Sequence, residues 1–167
     1  EMIDYKGKVF VETTNPDTSS VVERVEGFKK GISEYPDIEL VGVEYCLDVQ
    51  EKAQQQVAAA LQAHPDIVGI FGTNLYSAQG AYQAVANAGL AGVVKIAAWD
   101  ATEDLIKALK EGQVDLVLAQ KPYEIGTLAA EWAYKYLVEG QEIPKTIVPA
   151  FFFLTRYKVD DQEAQQY

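Results

Sequence analysis

Ile67-Val68-Gly69-Ile70-Phe71-Gly72-Thr73-Asn74 is an apolar run with a polar end. Its first five residues are apolar without alternation, and the run breaks at Gly72 into the polar pair Thr73-Asn74. A second pattern follows at once: Leu75–Ala88 reads as a helix closing at Asn87-Ala88-Gly89, where glycine can take the left-handed cap. A second apolar run, Val93–Trp99, comes next. Continuous runs rich in Val, Ile and Phe suit strands buried on both faces, and a helix between two such strands makes a parallel crossover unit.

The same unit repeats in both directions. Upstream lie the apolar runs Lys8–Thr13 and Glu39–Tyr45, and downstream Val114–Ala119 and Thr146–Leu154. Each gap has room for one helix. Between Thr18 and Ser33, the residues Val21, Val25, Phe28 and Ile32 recur at helical spacing. Asp48 with Glu51 three residues on predicts a capping box, ahead of Val49, Ala53, Val57, Ala60 and Leu61. Ala101–Glu111 ends before Gly112, and Pro122 opens a last helix at a position where its missing N–H is harmless. Strict alternation of strand and helix implies an α/β fold with a parallel sheet, right-handed crossovers and helices on both faces. No linker or composition shift divides residues 1–159, and only 160–167 reads as a polar tail.

Composition narrows the function classes. The 167 residues carry 14 Lys+Arg against 25 Asp+Glu, a formal net charge of −11, which repels nucleic-acid phosphates. A single cysteine, Cys46, excludes an intrachain disulfide and a CxxC pair. A single histidine, His64, before Pro65 at a helix end, reads as surface and leaves little for metal or hydrolase chemistry. No stretch approaches the ~20 apolar residues that span a bilayer, so membrane insertion is not expected. The first strand is followed by neither a P-loop nor GxGxxG, and no serine stands in a G-x-S-x-G elbow. Lys121-Pro122 imitates the signature of a response-regulator receiver, but the third strand ends in Asn74 where a phosphoacceptor aspartate would stand. No enzyme, cofactor or metal is expected.

In an open parallel sheet, ligands bind at the carboxyl ends of strands. Those ends offer Thr13-Thr14-Asn15 with Arg24 beyond, then Tyr45-Cys46-Leu47-Asp48, Thr73-Asn74, Trp99-Asp100 and Gln120-Lys121. Arg24, Asn74, Trp99, Asp100 and Gln120 converge on one rim as a cation, two amides, a carboxylate and an indole. Such a set suits hydroxyl recognition: carboxylate and amides fix hydroxyl directions, and an aromatic face covers C–H surface. Each residue also has a plainer reading. Asp100, with Glu103 three residues on, can cap its helix. Asn74 can do the same, Arg24 can be a solvated helix residue, and Trp99 can be core.

At these residues the chain resembles the ribose-binding-protein-like family of periplasmic sugar receptors. The matching stretches are Thr18-Ser19, Glu23-Arg24, Glu26-Gly27-Phe28, Ala63-His64-Pro65-Asp66, Asn74, Ala97-Ala98-Trp99-Asp100-Ala101-Thr102, Leu118-Ala119-Gln120-Lys121-Pro122-Tyr123 and Leu154–Asp160. The resemblance implies a flavodoxin-like three-layer α/β/α sandwich with a mainly parallel sheet, one lobe of a type 1 periplasmic binding protein. It implies sugar contacts from Arg24, Asn74, Trp99, Asp100 and Gln120, with an aromatic position near Tyr45 and Leu47 that is not clearly matched. It also implies hinge closure on a monosaccharide, delivery to an ABC permease, and a periplasmic or extracellular setting. Family members are about twice a single domain's size, and this chain matches their second half. The same fold serves as the inducer-binding domain of lac-repressor-type regulators, the alternative reading. The helix of residues 122–140 implies a further expectation. Its Ile125, Leu128, Ala129, Trp132, Tyr136 and Leu137 form a stripe that in the family packs on the other lobe, and here it predicts a homodimer.

Overall fold

The fold, taken from a computed structural model, is described for residues 2–160. Strands and helices alternate: β1 (Gly7–Thr13), α1 (Ser19–Ile32), β2 (Ile38–Tyr45), α2 (Gln50–Ala63), β3 (Ile67–Gly72), α3 (Leu75–Asn87), β4 (Lys95–Trp99), α4 (Glu103–Glu111), β5 (Leu116–Ala119), α5 (Pro122–Leu137) and β6 (Phe152–Leu154). They form one six-stranded sheet in the order β2-β1-β3-β4-β5-β6. All neighbours run parallel except β6, which pairs antiparallel with β5 through Leu118↔Phe153.

Successive side chains of a strand point to opposite faces, and the core divides along that parity. Phe10, Ile70, Ala98 and Val117 face one way, into a layer built from Val57 and Leu61 of α2, Ala81 and Val85 of α3, and Leu105 and Leu109 of α4. Their neighbours Val11, Phe71, Trp99 and Leu118 face the other way, toward Val25 and Phe28 of α1. Three layers result, as the resemblance implied. In the first layer α2 and α3 approach closely because Gly80 has no side chain: a Cβ there would collide with the buried Ala53. No helix among the described residues is long and apolar enough to cross a membrane.

Several boundaries differ from the sequence expectation. The run from Val93 enters the sheet only at Lys95, and Val93 is 69% exposed. The fifth run enters at Leu116 rather than Val114. Most of Thr146–Leu154 is not strand, since Pro149 has no N–H to give a ladder, and only Phe152–Leu154 pairs. Asp48 does not cap α2: the N-cap is Val49, without a side-chain bond. Asp100 does not cap α4 either, because Thr102 holds that position and its hydroxyl accepts from the Leu105 N–H. Gly112 closes α4 in the left-handed conformation (φ 77°), as its position predicted. The tail expected from residue 160 begins with Asp160 paired to Lys110 at 2.6 Å, and 161–167 lie outside the described residues.

Helix α5 stops at Leu137, short of Gly140, and none of its residues is buried. Ile125, Leu128, Ala129, Trp132 and Ala133 line a groove whose other wall is Ile143, Ile147 and Pro149. Part of the apolar stripe is thus met by the chain's own next segment, while Tyr136 and Leu137 stay exposed.

One strand residue breaks the apolar rule. Glu12 of β1 is fully buried, and neither carboxylate oxygen has a hydrogen-bond partner among the described residues. It registers beside Glu44 of β2. Burial first, and Glu44 second, push its carboxyl up to about 9, with Lys52 opposing. Glu12 is therefore neutral in the folded protein at pH 7 and ionised when unfolded. Folding takes up a proton, so this contribution is fully present below pH ~4.5 and is lost as pH rises toward about 9. At pH 7 the cost is on the order of 3 kcal/mol. Thermal melts of Glu12→Gln should show a flatter decline in Tm between pH 5 and 8.5 than the parent chain. Superimposable pH profiles would show that Glu12 keeps its charge in the fold.

Candidate functional site

The chain reverses direction across the sheet between β1 and β3, which lead to opposite edges, and a crevice opens beyond the carboxyl ends of such strands. Here the two ends are tied together. The Thr73 hydroxyl donates to the Thr13 hydroxyl at 2.6 Å, both residues being buried, and the Thr73 N–H bonds the Glu12 carbonyl. The Thr73 carbonyl then accepts from Arg24 Nη1 at 2.9 Å. Arg24 sits one turn into α1 and reaches inward across the rim instead of out to water.

The guanidinium carbon of Arg24 lies 3.9 Å above the centre of the Trp99 ring. Burial pulls the Arg24 pKa below its ordinary value, and the Asp100 carboxylate works against that shift. A weakly hydrated, planar cation on an indole tolerates such a place better than an ammonium would. Trp99 is 9% exposed, packs against Phe71 and meets Phe151 edge-on at 5.6 Å. Its indole N–H finds no acceptor among the described residues. One face of the ring therefore supports Arg24, a task that its position in the sequence did not reveal.

Asp100 follows Trp99 at φ 73°, a left-handed conformation that non-glycine residues adopt rarely and that often marks a site. Its N–H is fixed by the Leu118 carbonyl, and its Oδ1 accepts from Gln120 Nε2 at 2.6 Å. Gln120, at the end of β5, thereby holds the carboxylate in the crevice mouth. Asn74 stands across from them as the N-cap of α3, with Oδ1 accepting from the Ser77 N–H and hydroxyl. Its Nδ2 donates to Asp48 Oδ1 at 2.7 Å. Asn74 is thus a cap and a rim residue at once.

The five residues singled out from the sequence occupy one rim. Arg24, Trp99, Asp100 and Gln120 form a contiguous group, and Asn74 joins it through the backbone of Thr73. Sequence reasoning missed Thr73, which anchors Arg24, and Asp48, which it assigned to a helix cap. The signal for both was their place at strand ends, in Thr73-Asn74 and in Tyr45-Cys46-Leu47-Asp48, although neither was singled out there. Among the described residues no group of three or more His, Cys, Asp or Glu could hold a metal ion. An adjoining groove of about 700 Å³ shares Arg24 and Trp99 with the rim and continues along Phe28, Phe71 and Leu118 on the α1 face, with a mostly apolar lining.

Residues 1–142 match the family described as periplasmic binding protein domain. The ribose import binding protein RbsB of Salmonella typhimurium is 33% identical over 126 residues, covering 75% of this chain and 42% of the relative. The D-allose-binding periplasmic protein of Escherichia coli is 33% identical over 100 residues, 60% of this chain and 32% of the relative. A solved ABC transporter solute binding protein from Agrobacterium vitis, bound with α-D-tagatopyranose, superposes with a TM-score of 0.94 at 34% identity, over 99% of this chain and 55% of that one. A counterpart from Actinobacillus succinogenes with bound D-allose gives 0.86 at 31%, over 99% and 57%. The chain spans less than half the length of these curated relatives.

Proposed function

This chain belongs to the periplasmic binding protein domain family, and from that premise we propose that it is the carbohydrate-binding lobe of an ABC-transporter solute-binding protein. One observation carries the reading: the Asp100 carboxylate is held by Gln120 at a crevice mouth, beside an Arg24 guanidinium braced on Trp99. That is a fixed acceptor next to fixed donors, the arrangement that hydroxyl groups require and apolar solutes do not. The sugars named for the relatives, ribose, allose and tagatose, are small molecules dense in hydroxyl groups.

Because the relatives are about twice as long, we place this lobe, residues 1–159, opposite a second lobe that completes the cleft. Ligand contacts made only in the closed form would drive closure about a hinge. The closed form would then engage a permease from the periplasmic or extracellular side. No catalytic step enters this reading. A thermal-shift screen of the two-lobed protein with a panel of pentoses and hexoses, D-ribose, D-allose and D-tagatose among them, tests it. A rise of several degrees in Tm with at least one sugar is expected, and no response to any pentose or hexose would overturn it.

The exposed end of the α5 stripe implies an association surface when this lobe stands alone. The chain without a second lobe is expected to form a two-fold dimer at micromolar concentration through Tyr136 and Leu137. Light scattering reads the mass, and Leu137→Ser should return it to monomer. A monomer from the outset would mean that the groove against Ile143 and Ile147 satisfies the helix.

A further inference from the structure

Asn74 is held on three sides, and the arrangement decides what it can offer a ligand. Its Oδ1 accepts from the Ser77 N–H at 3.3 Å and from the Ser77 hydroxyl. Two acceptances fill both lone pairs of an amide oxygen. Ser77 is fully buried, and its hydroxyl is in turn 3.4 Å from the Cys46 sulfur. With the hydroxyl proton spent on Asn74, the thiol is the donor in that contact. On the other side Nδ2 gives one proton to Asp48 Oδ1 at 2.7 Å. A carboxylate only accepts, so the direction of this bond is fixed. One N–H of Asn74 is left.

Asp48 reaches that position through an unusual loop. Leu47 and Asp48 both have left-handed backbones, at φ 57° and 59°. The loop is tied to the β1 end by Cys46 N–H to the Thr13 carbonyl and by Leu47 N–H to the Thr14 carbonyl at 2.6 Å. The carboxylate is thereby delivered to the rim and not to the start of α2.

We propose that Asp48 is a positioning residue for the sugar site: it pins the Asn74 amide so that Asn74 meets the ligand only as a single N–H donor, directed at a hydroxyl or ring oxygen. This rests on the sugar-binding reading above and specifies how one of its contacts is made. Asn74 on a free torsion could turn either proton away from the cleft; held between Ser77 and Asp48 it cannot. Asn74 and Arg24 then face the ligand as donors and Asp100 as an acceptor, beside the Gln120 amide, which keeps its oxygen and its second N–H.

The test is made in the two-lobed protein, by calorimetry with D-ribose, D-allose and D-tagatose and by NMR of the Asn74 side-chain amide. Asp48→Ala should weaken binding roughly tenfold. Asp48→Asn, whose amide oxygen can still accept from Nδ2, should recover most of it. In an Asn74→Ala background the Asp48→Ala change should add nothing, since its effect passes through Asn74. The two Asn74 Nδ2 protons should lie far apart in shift in the parent and converge in Asp48→Ala. Unchanged affinity in Asp48→Ala, a full loss in the Asn74→Ala background, or an unmoved Asn74 amide would each overturn the proposal. If the parent binds none of the sugars, the functional reading fails, while the amide spectra still decide whether Asp48 pins Asn74.

Discussion

Asp100→Ala in the two-lobed protein is expected to weaken sugar binding by two to three orders of magnitude while leaving the fold in place. A hydrogen bond to a charged group contributes about 1.5–3 kcal/mol, and a carboxylate in a closed cleft accepts at least two from vicinal hydroxyls. Loss of roughly 3–4 kcal/mol raises a micromolar dissociation constant to between about 0.2 and 1 mM. The fold should survive because α4 is capped by Thr102, and Asp100 makes no cap. Alanine at φ 73° costs about 1 kcal/mol of backbone strain, a drop of a few degrees in Tm. Asp100→Asn tolerates that backbone and keeps one acceptor, so it should lose less affinity. Calorimetry and melting curves on both variants check this. Normal binding with much earlier melting would assign the carboxylate to the fold.

The second large effect is that of the missing surface. The 167-residue chain by itself is expected to bind D-ribose, D-allose or D-tagatose only in the millimolar range or weaker, although all five rim residues are present. Its crevice is open on one side, so water competes for every hydrogen bond, and the contacts of the opposing lobe are gone. Loss of even ~5 kcal/mol is a factor of several thousand. Micromolar binding to this chain alone would contradict the half-site reading.

How far the sequence revealed this arrangement depends on which residues are considered. The central strands were legible because β1, β3 and β4 are covered on both faces and their residues had to be apolar. The edges were not. β6 is antiparallel and three residues long, with Pro149 upstream, so an apolar run there signalled more strand than the sheet contains. Within the site, chain position located Asp100 and Gln120, because strand ends must face the crevice. It could not distinguish a rim carboxylate from a helix cap. Asp48 and Asp100 each stand three residues before a glutamate, and the left-handed backbones at both positions turn them away from the caps the pattern suggested. Arg24 and Trp99 were named separately, one as a cation and the other as a stacking surface. That the indole carries the guanidinium is a fact of packing across the sheet, invisible in spacing. Glu12 gave no warning at all, since a charged residue inside an apolar strand run reads as noise until its partners are known.

Whether this rim holds the sugar can be read from a crystal structure of the two-lobed protein grown with the sugar that stabilises it most. Sugar hydroxyls are expected within hydrogen-bond distance of Asp100, Arg24, Asn74 and Gln120, at the carboxyl ends of the strands. A sugar seated instead in the apolar groove along Phe28 and Phe71, with Asp100 and Gln120 still bonded only to each other, would contradict it.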